Sequence, residues 1–235
     1  MNWHIMKQKY FLLLFLLAFS TFSEEIEVLT EVYPPYSYTE GKAIKGAAIE
    51  IMREVLKDAD IKENIAVYPW ARAYHITTQK KNTLLFPTLR IPEREKDFIW
   101  GEEILSIETF VFTKGKNLKV SKIEELKSKT VAVMRDGGDH IYLKAKGFKN
   151  LQTVTTPEQK IKLLNAGRVD AIVVPDLTFI WMCKKENLKI DSFTKLFRVQ
   201  DLSVKTHMAF NKQTSPTLIK KLNSSLKKIN KDGTT

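Results

Sequence analysis

Two arginines and a proline stand close together in the segment Phe86-Pro87-Thr88-Leu89-Arg90-Ile91-Pro92-Glu93-Arg94. The apolar run that begins at Leu84 predicts a buried strand that ends just where a proline and two arginines arrive. Guanidinium groups at a strand end are suited to pair with a carboxylate. Pro92 favours the first turn of a helix, which would bring Arg94 close to helix N-terminal N–H groups that also attract anions. The segment therefore predicts an anion site, with Arg90 as a second candidate.

An alternative interpretation is that both arginines are solvated surface groups paired with acids of the same segment. The acids within reach are Glu93, Glu95 and Asp97. Exposed ion pairs of this kind are common and contribute little to stability. Residues elsewhere in the chain must therefore decide between a ligand site and a surface.

Aromatic side chains follow two earlier predicted strands. The loop Tyr33-Pro34-Pro35-Tyr36-Ser37-Tyr38 comes after a strand over residues 26–30, and Pro69-Trp70-Ala71-Arg72-Ala73-Tyr74 comes after a strand over residues 64–68. Ligands of open α/β sheets bind outside the carboxyl ends of the strands. Three successive strand ends are therefore predicted to present aromatic or cationic groups to one site. For the tyrosines, packing on the neighbouring prolines is the alternative.

Two glycines follow a later predicted strand, residues 130–134, in the run Arg135-Asp136-Gly137-Gly138-Asp139. Glycines between a strand and a helix let backbone N–H groups approach an anion. The signal is weak, because neither the dinucleotide-binding nor the P-loop spacing is present. Asp176 follows the strand predicted over residues 169–174, and a helix-capping role competes with any ligand role for it.

The elements that must position these groups alternate between strand and helix. Apolar spacing predicts helices over residues 46–58 and from Ser215-Pro216 onward. Ser121 with Glu124, and Thr156 with Gln159, have the spacing of a capping box, so further helices are predicted to begin near residues 122 and 157. The fold class predicted from this alternation is α/β.

Composition and the N-terminus limit the class of protein. The 235 residues are 43% hydrophobic and 28% charged, which is typical of a globular protein. Lys7 and Lys9 precede the apolar run 10–19 and then small residues, the pattern of a cleaved signal peptide over residues 1–23. An uncleaved signal anchor is the alternative, but a spanning helix needs about 20 apolar residues.

Several other classes of site are not predicted. The net charge is +11, yet the lysines lack the interleaved aromatic pattern of RNA-binding or single-strand-binding modules, so no nucleic-acid partner is predicted. The single Cys183 cannot form an internal disulfide and lies in an apolar run, as a buried small hydrophobe would. No set of His, Cys, Asp and Glu has metal-ligand spacing, and neither a metal nor a cofactor is predicted.

Taken together, these motifs resemble the family 3 extracellular solute-binding proteins, the periplasmic receptors of polar amino acid ABC transporters. The resemblance covers essentially the whole mature chain and follows the order of the family. Its remaining pieces are the run Gly167-Arg168-Val169-Asp170-Ala171 and the closing Lys231-Asp232-Gly233. The family implies a two-lobed periplasmic-binding-protein type II fold, in which two α/β lobes joined by two hinge strands close over the ligand. Lobe 1 would comprise residues 24–112 and 207–235, and lobe 2 residues 113–206.

The resemblance also implies roles for single residues. Tyr33 or Tyr36 and Trp70 would stack on the ligand, and Arg94 would clamp its carboxylate with help from Arg72 or Arg90. Gly137 and Gly138 would complete that site with backbone donors, and Asp176 lies one position beyond the usual acid for the ligand ammonium. Ile91 stands where the family commonly has threonine, and Pro87 and Leu89 also lack a hydroxyl, so a standard α-amino acid is left open.

The function expected from the resemblance is that of a monomeric periplasmic receptor without catalytic residues. It would capture a small anionic or zwitterionic solute, an amino acid or related carboxylate, and deliver it to the membrane permease of an ABC transporter. One alternative is a dehydratase-like enzyme on the same fold, whose acid would be Glu31, Glu102 or Asp139. Another is a ligand sensor that takes no part in transport.

Overall fold

The structure is a computed structural model and describes residues 25–115 and 118–231. The predicted signal peptide, residues 1–23, lies outside these ranges, as do residues 232–235 with the end of the closing motif. Within the described residues, no helix has the length and apolar character needed to cross a membrane.

The first lobe is built on a five-stranded sheet with strand order β4-β1-β5-β12-β6. Strands β1, β4 and β5 run parallel, whereas β12 is antiparallel to both β5 and β6. The strands are β1 (Glu27–Thr30), β4 (Ile65–Val67), β5 (Thr83–Leu89), β6 (Ile99–Ser106) and β12 (Lys205–Phe210). A hairpin of β2 (Tyr38–Glu40) and β3 (Ala43–Lys45), which the sequence did not predict, follows the aromatic loop.

Three helices cover this sheet: α1 (Ala47–Asp58), α2 (Trp70–Gln79) and α6 (Pro216–Lys231). In α6, Leu218, Leu222 and Leu226 recur at helical spacing and are buried with the core face of α1. The predicted helix over residues 46–58 is confirmed within one residue, and most of its apolar positions are buried in this core.

The second lobe is built on a five-stranded sheet with strand order β11-β7-β10-β8-β9. Its strands are β7 (Thr109–Lys114), β8 (Val131–Met134), β9 (Leu151–Val154), β10 (Ala171–Pro175) and β11 (Phe193–Arg198). Its helices are α3 (Gly138–Ala145), α4 (Pro157–Asn165) and α5 (Asp176–Lys185). The predicted capping box at Thr156 and Gln159 is present at the start of α4.

The chain passes from one sheet to the other at residues 107–108 and returns at residues 199–204. The lobe limits expected from the sequence, after Phe112 and before His207, therefore fall inside strands β7 and β12. In both sheets the parallel strands direct their carboxyl ends toward the cleft between the lobes, so the loops after β1, β4 and β5 face those after β8 and β10. The structure is thus the two-lobed α/β fold that the resemblance implied.

One local prediction near Arg94 is confirmed and another is wrong. Strand β5 ends at Leu89, directly before Arg90, and it continues through Pro87 because the pairing of β5 with β12 is irregular there and needs no backbone donor. The predicted helix after Pro92 is a single 3₁₀ turn, Pro92–Arg94, since the chain must reach β6 at Ile99. Arg94 therefore does not lie at the N-terminus of a longer helix.

Two predicted caps are also absent. At Ser121 the backbone N–H donates to the Glu125 carboxylate, and only a 3₁₀ turn, Ile123–Leu126, follows it. Asp176 is the first residue of α5 rather than its N-cap, a position that Pro175 occupies. Its carboxylate instead pairs with Lys195 at 2.9 Å.

Candidate functional site

A small cavity of about 70 Å³ lies between the two lobes. Loops at the carboxyl ends of β1, β4 and β5 form its lobe 1 wall, and those after β8 and β10 form much of its lobe 2 wall. The charged residues that line the cavity are Glu31, Arg94, Asp139 and Lys160. This placement agrees with the rule that open α/β sheets bind ligands beyond their strand ends.

Arg94 is the most buried charged residue of the cavity, with 1% of its surface exposed. Nη1 donates to the Leu89 carbonyl and Nη2 to the Asp136 carbonyl of the other lobe, both at 3.3 Å. Nε has no hydrogen-bond partner, and no salt bridge links the guanidinium to a carboxylate of the described residues. Burial lowers the pKa of Arg94. An anion entering the cavity would supply the missing charge.

Trp70 and Tyr33 provide the aromatic wall. The guanidinium carbon of Arg94 lies 4.3 Å from the centre of the Trp70 ring, a cation–π contact. Trp70 Nε1 donates to the Asp136 carbonyl at 2.7 Å, so this residue also links the lobes. The Tyr33 ring lines the cavity and packs at 5.3 Å from that of Tyr36. Trp70 therefore orients Arg94 from one side, besides lining the cavity.

Asp139 and Lys160 form an ion pair in the lobe 2 wall, with Oδ2 and Nζ 2.5 Å apart. Only 4% of Lys160 is exposed. Asp139 also accepts from the Met134 backbone N–H at 3.1 Å, and Lys160 donates to the Val173 carbonyl at 3.2 Å. Each charge is thus neutralised and hydrogen-bonded within lobe 2, as a buried pair requires.

Glu31 is a partly buried carboxyl that lines the cavity directly after β1. No hydrogen bond or ion pair of its carboxyl group is found within the described ranges, although its backbone carbonyl accepts from Ser37 Oγ at 2.7 Å. Burial raises the pKa of Glu31 to about 8, an effect that Arg94 and Lys160 oppose and Asp139 reinforces. The cavity thus holds an unpaired carboxyl group besides the unpaired guanidinium.

Gly137 caps α3 and Gly138 is its first residue, and both line the cavity. That they donate backbone hydrogen bonds to a ligand stays a prediction. A Cβ on Gly137 would lie 2.8 Å from both the Asp139 carboxylate and Met134 Cβ. A Cβ on Gly138 would meet only Leu89 of the opposite lobe, at an ordinary 3.4 Å. The close approach at Gly137 explains why glycine suits this turn.

The structure does not bring every predicted site residue into the cavity. Tyr36 is buried in the core of lobe 1, and Arg72 is exposed with its guanidinium carbon 4.7 Å from the Tyr68 ring centre. Arg90 is exposed and pairs with Glu95 through two hydrogen bonds. Asp176, paired with Lys195, also lies outside the lining. Arg90 is thus the solvated surface arginine of the alternative interpretation, whereas Arg94 lines the cavity.

Sequence reasoning missed Lys160 altogether and named Glu31 and Asp139 only as possible enzyme acids. A signal for Lys160 exists: α4 buries Pro157, Lys160, Ile161 and Leu164, so the lysine stands on the apolar face of its helix. Glu102, the third proposed acid, pairs with Lys227 and does not line the cavity. Among the described residues, no group of three His, Cys, Asp or Glu could hold a metal ion.

The sequence of this chain is similar to those of known proteins. The model of the bacterial extracellular solute-binding proteins, family 3, matches residues 26–235. The chain is 27% identical over 207 residues to the probable amino-acid-binding protein YxeM of Bacillus subtilis, covering 85% of this chain and 76% of the relative. It is 24% identical over 213 residues to the L-cystine-binding protein TcyJ of Escherichia coli, covering 88% and 77%.

Solved structures share the fold. An ancestral arginine-binding protein bound to arginine superimposes with a TM-score of 0.78 at 19% identity, covering 89% of this chain and 94% of that one. A histidine kinase sensor domain similar to periplasmic binding proteins gives the same TM-score at 20% identity, covering 89% and 92%. At such identities the likeness concerns the fold alone.

Proposed function

This chain belongs to the bacterial extracellular solute-binding proteins of family 3, and from that membership we propose that it captures a small carboxylate-bearing solute between its lobes. The solute is an amino acid or a related compound, and the receptor presents it to the membrane permease of an ABC transporter. The names of YxeM and TcyJ, an amino-acid-binding and a cystine-binding protein, support this class of solute.

The observation that carries the proposal is the state of Arg94. A guanidinium with 1% exposure, an unpartnered Nε and two long hydrogen bonds to carbonyl groups is incompletely compensated. A ligand carboxylate would restore that compensation through charge-assisted hydrogen bonds. The Asp136 carbonyl accepts from both Arg94 and Trp70 of lobe 1, so closure of the cleft and completion of the anion site use the same groups.

Capture without chemical conversion is the second part of the proposal. Of the two acids in the cavity, Asp139 is held by Lys160 and the Met134 N–H, which does not favour proton transfer, whereas Glu31 is unpaired. Because YxeM and TcyJ are named as binding proteins, the solute should be recovered unchanged after prolonged incubation with the protein. Recovery of a dehydrated or hydrolysed product would favour the enzyme alternative.

A thermal-shift screen of the standard L-amino acids, L-cystine and simple monocarboxylates tests the capture step. A solute present at about 100 times its Kd should raise the Tm by about 5–10 °C, because binding to the closed form adds its free energy to stability. In Arg94→Ala, calorimetric binding should weaken about 100-fold or more, since the ligand carboxylate then stays unpaired in a buried site.

Arg90→Ala is the matched control, because Arg90 lies four residues away and is exposed in its pairing with Glu95. Its binding should stay within about twofold of the parent. A cooperative unfolding transition in Arg94→Ala shows that the variant is folded. Parent-like binding by a folded Arg94→Ala would overturn the proposal.

The transport step needs its own test in cells. Removal of this receptor should lower uptake of the labelled solute identified in the screen, and restoring the parent chain should recover it. Restoring Arg94→Ala should not. Unchanged uptake without the receptor would limit the function to binding.

A further inference from the structure

The described part of the cavity contains four charged side chains, and two of them already satisfy each other. Asp139 Oδ2 and Lys160 Nζ lie 2.5 Å apart. Asp139 also accepts a hydrogen bond from the Met134 backbone N–H, and Lys160 donates one to the Val173 carbonyl. The Arg94 guanidinium and the Glu31 carboxyl act on each other's pKa, but neither forms an ion pair with the other or with a further charged group of the described residues. A ligand with one negative and one positive group would give each of them a direct partner.

The rest of the lining offers little to a further charge. Leu89, Met134, Val174 and Leu202 contribute apolar surface. The hydroxyl groups of Thr109 and Thr178 are already used, the first donating to the Leu202 carbonyl and the second to the Pro34 carbonyl. The described lining holds no charged group besides the four already named, so a charged ligand side chain would be buried without a counter-charge, at a large cost in free energy.

We propose that Glu31 accepts the ammonium group of a zwitterionic amino acid whose side chain is uncharged, while Arg94 holds the carboxylate. This inference rests on the proposed receptor function and adds the solute class and the ammonium acceptor. It also accounts for two features of the sequence. Asp176, predicted for the ammonium, is tied to Lys195, and Ile91 supplies no hydroxyl. Glu31, an acid in lobe 1, would hold the ammonium group in place of Asp176 and of a hydroxyl at position 91.

Titration of Glu31 gives the proposal a measurable signature. Three charged groups affect the pKa of Glu31: Arg94 from the 3₁₀ turn, Asp139 from α3 and Lys160 from α4. Tyr33, from the same loop as Glu31, is the neighbouring titratable group, and Glu31 helps to raise its pKa. Without a ligand cation, the closed cavity holds a Glu31 whose pKa is about 8 and which is therefore largely protonated at neutral pH. An ammonium group beside it favours the carboxylate.

Consequently, Glu31 should be ionised in the complex with an amino acid and protonated in the complex with the des-amino analogue of that amino acid. This difference does not depend on whether the free cleft is open or closed, because both complexes share the same free protein. The preference for the amino acid over its des-amino analogue should therefore rise with pH by about tenfold per unit and level off near the pKa of Glu31.

Calorimetric titration of the full chain with L-leucine and its des-amino analogue isocaproate, between about pH 6 and about pH 8, measures this preference. L-methionine and L-glutamine extend the uncharged class, and L-arginine and L-glutamate represent charged side chains. The parent should bind at least one uncharged amino acid more tightly than both charged ones. In Glu31→Gln the ratio of the isocaproate and L-leucine dissociation constants should fall at about pH 8 and lose its pH dependence.

The possible failures are distinguishable. A pH-independent ratio in the parent, or an unchanged ratio in Glu31→Gln, overturns the role of Glu31, while loss of binding in Arg94→Ala keeps the receptor function intact. Tighter binding of L-arginine or L-glutamate overturns the uncharged class. Binding of none of these solutes counts against both proposals. Because the parent ratio is measured without any substitution, the test holds even if Glu31→Gln does not fold.

Discussion

The two walls of the cavity use charged side chains in opposite ways. On the lobe 1 side, Arg94 and Glu31 line the cavity without forming an ion pair within the described residues. On the lobe 2 side, Asp139 and Lys160 neutralise each other and are hydrogen-bonded to the backbone of their own lobe. Under the proposed function, lobe 1 would recognise the charged groups of the solute, and lobe 2 would close over it with a wall whose charges already neutralise each other.

This difference suggests an order of events. A solute would first meet the unpaired groups of lobe 1, and closure would then add the glycine turn after β8. Direct hydrogen bonds between the lobes run from Trp70 and Arg94 to the Asp136 carbonyl and from Thr178 to the Pro34 carbonyl. Substitutions on the lobe 2 side should accordingly affect stability or closure, while those on the lobe 1 side should affect recognition.

The largest effect is expected for Lys160→Met. Removal of the cation leaves Asp139 buried without its partner, so the free energy of unfolding should fall by about 3–5 kcal/mol. Urea unfolding monitored by circular dichroism measures it. Lys162→Met, on the exposed face of the same helix, is the control and should change stability by less than about 0.5 kcal/mol.

A smaller loss in Lys160→Met, below about 1 kcal/mol, would mean that the pair contributes little and that the contrast between the walls is wrong. The double substitution Lys160→Met and Asp139→Leu sharpens the test. Because it removes both charges, it should recover much of the stability lost in the single variant.

An intermediate effect is expected in the glycine turn. In Gly137→Ala the new methyl group would overlap Met134 and the Asp139 carboxylate, so the turn must shift and solute binding should weaken about tenfold. Gly138→Ala is the matched variant, since its methyl group would touch only Leu89 at 3.4 Å, and binding should stay within about threefold. Calorimetry measures the dissociation constant of the solute for both variants. Equal losses of affinity would contradict the proposed close approach at Gly137.

The smallest effect is expected for Thr178→Val, which removes the 2.6 Å hydrogen bond to the Pro34 carbonyl between the lobes. Loss of about 1 kcal/mol from the closed form should weaken binding about fivefold. Thr113→Val removes a comparable bond, to the Asp170 carbonyl at 2.8 Å, but inside lobe 2. That control should lower the Tm without altering affinity, and a fivefold loss of binding in both would argue against a specific role in closure.

Periodic patterns allowed much of the fold to be predicted. The helix at 46–58 and the capping box at Thr156 were correct, because apolar spacing and reciprocal backbone caps are local properties of the chain. The 3₁₀ turn at Pro92–Arg94 was not predicted, since its length is set by the need to enter β6 after only a few residues. The same kind of tertiary constraint left Ser121 without its predicted cap.

The candidate site was less predictable than the fold. Strand ends identified Tyr33, Trp70 and Arg94, which do line the cavity, but the same reasoning selected Arg90 and Arg72, which do not. Whether an arginine beyond a strand points into a cleft depends on the path of the following turn, which single-residue patterns do not encode. The unpaired state of Glu31 likewise depends on which charges the opposite lobe brings near it.

A crystal structure of the chain with the amino acid that raises its Tm most would show directly whether Arg94 and Glu31 hold the ligand. We expect a solute between the lobes, with its carboxylate within hydrogen-bonding distance of the Arg94 guanidinium and its ammonium group beside Glu31. A solute whose carboxylate is held by other residues, or one bound outside the cavity, would contradict this expectation.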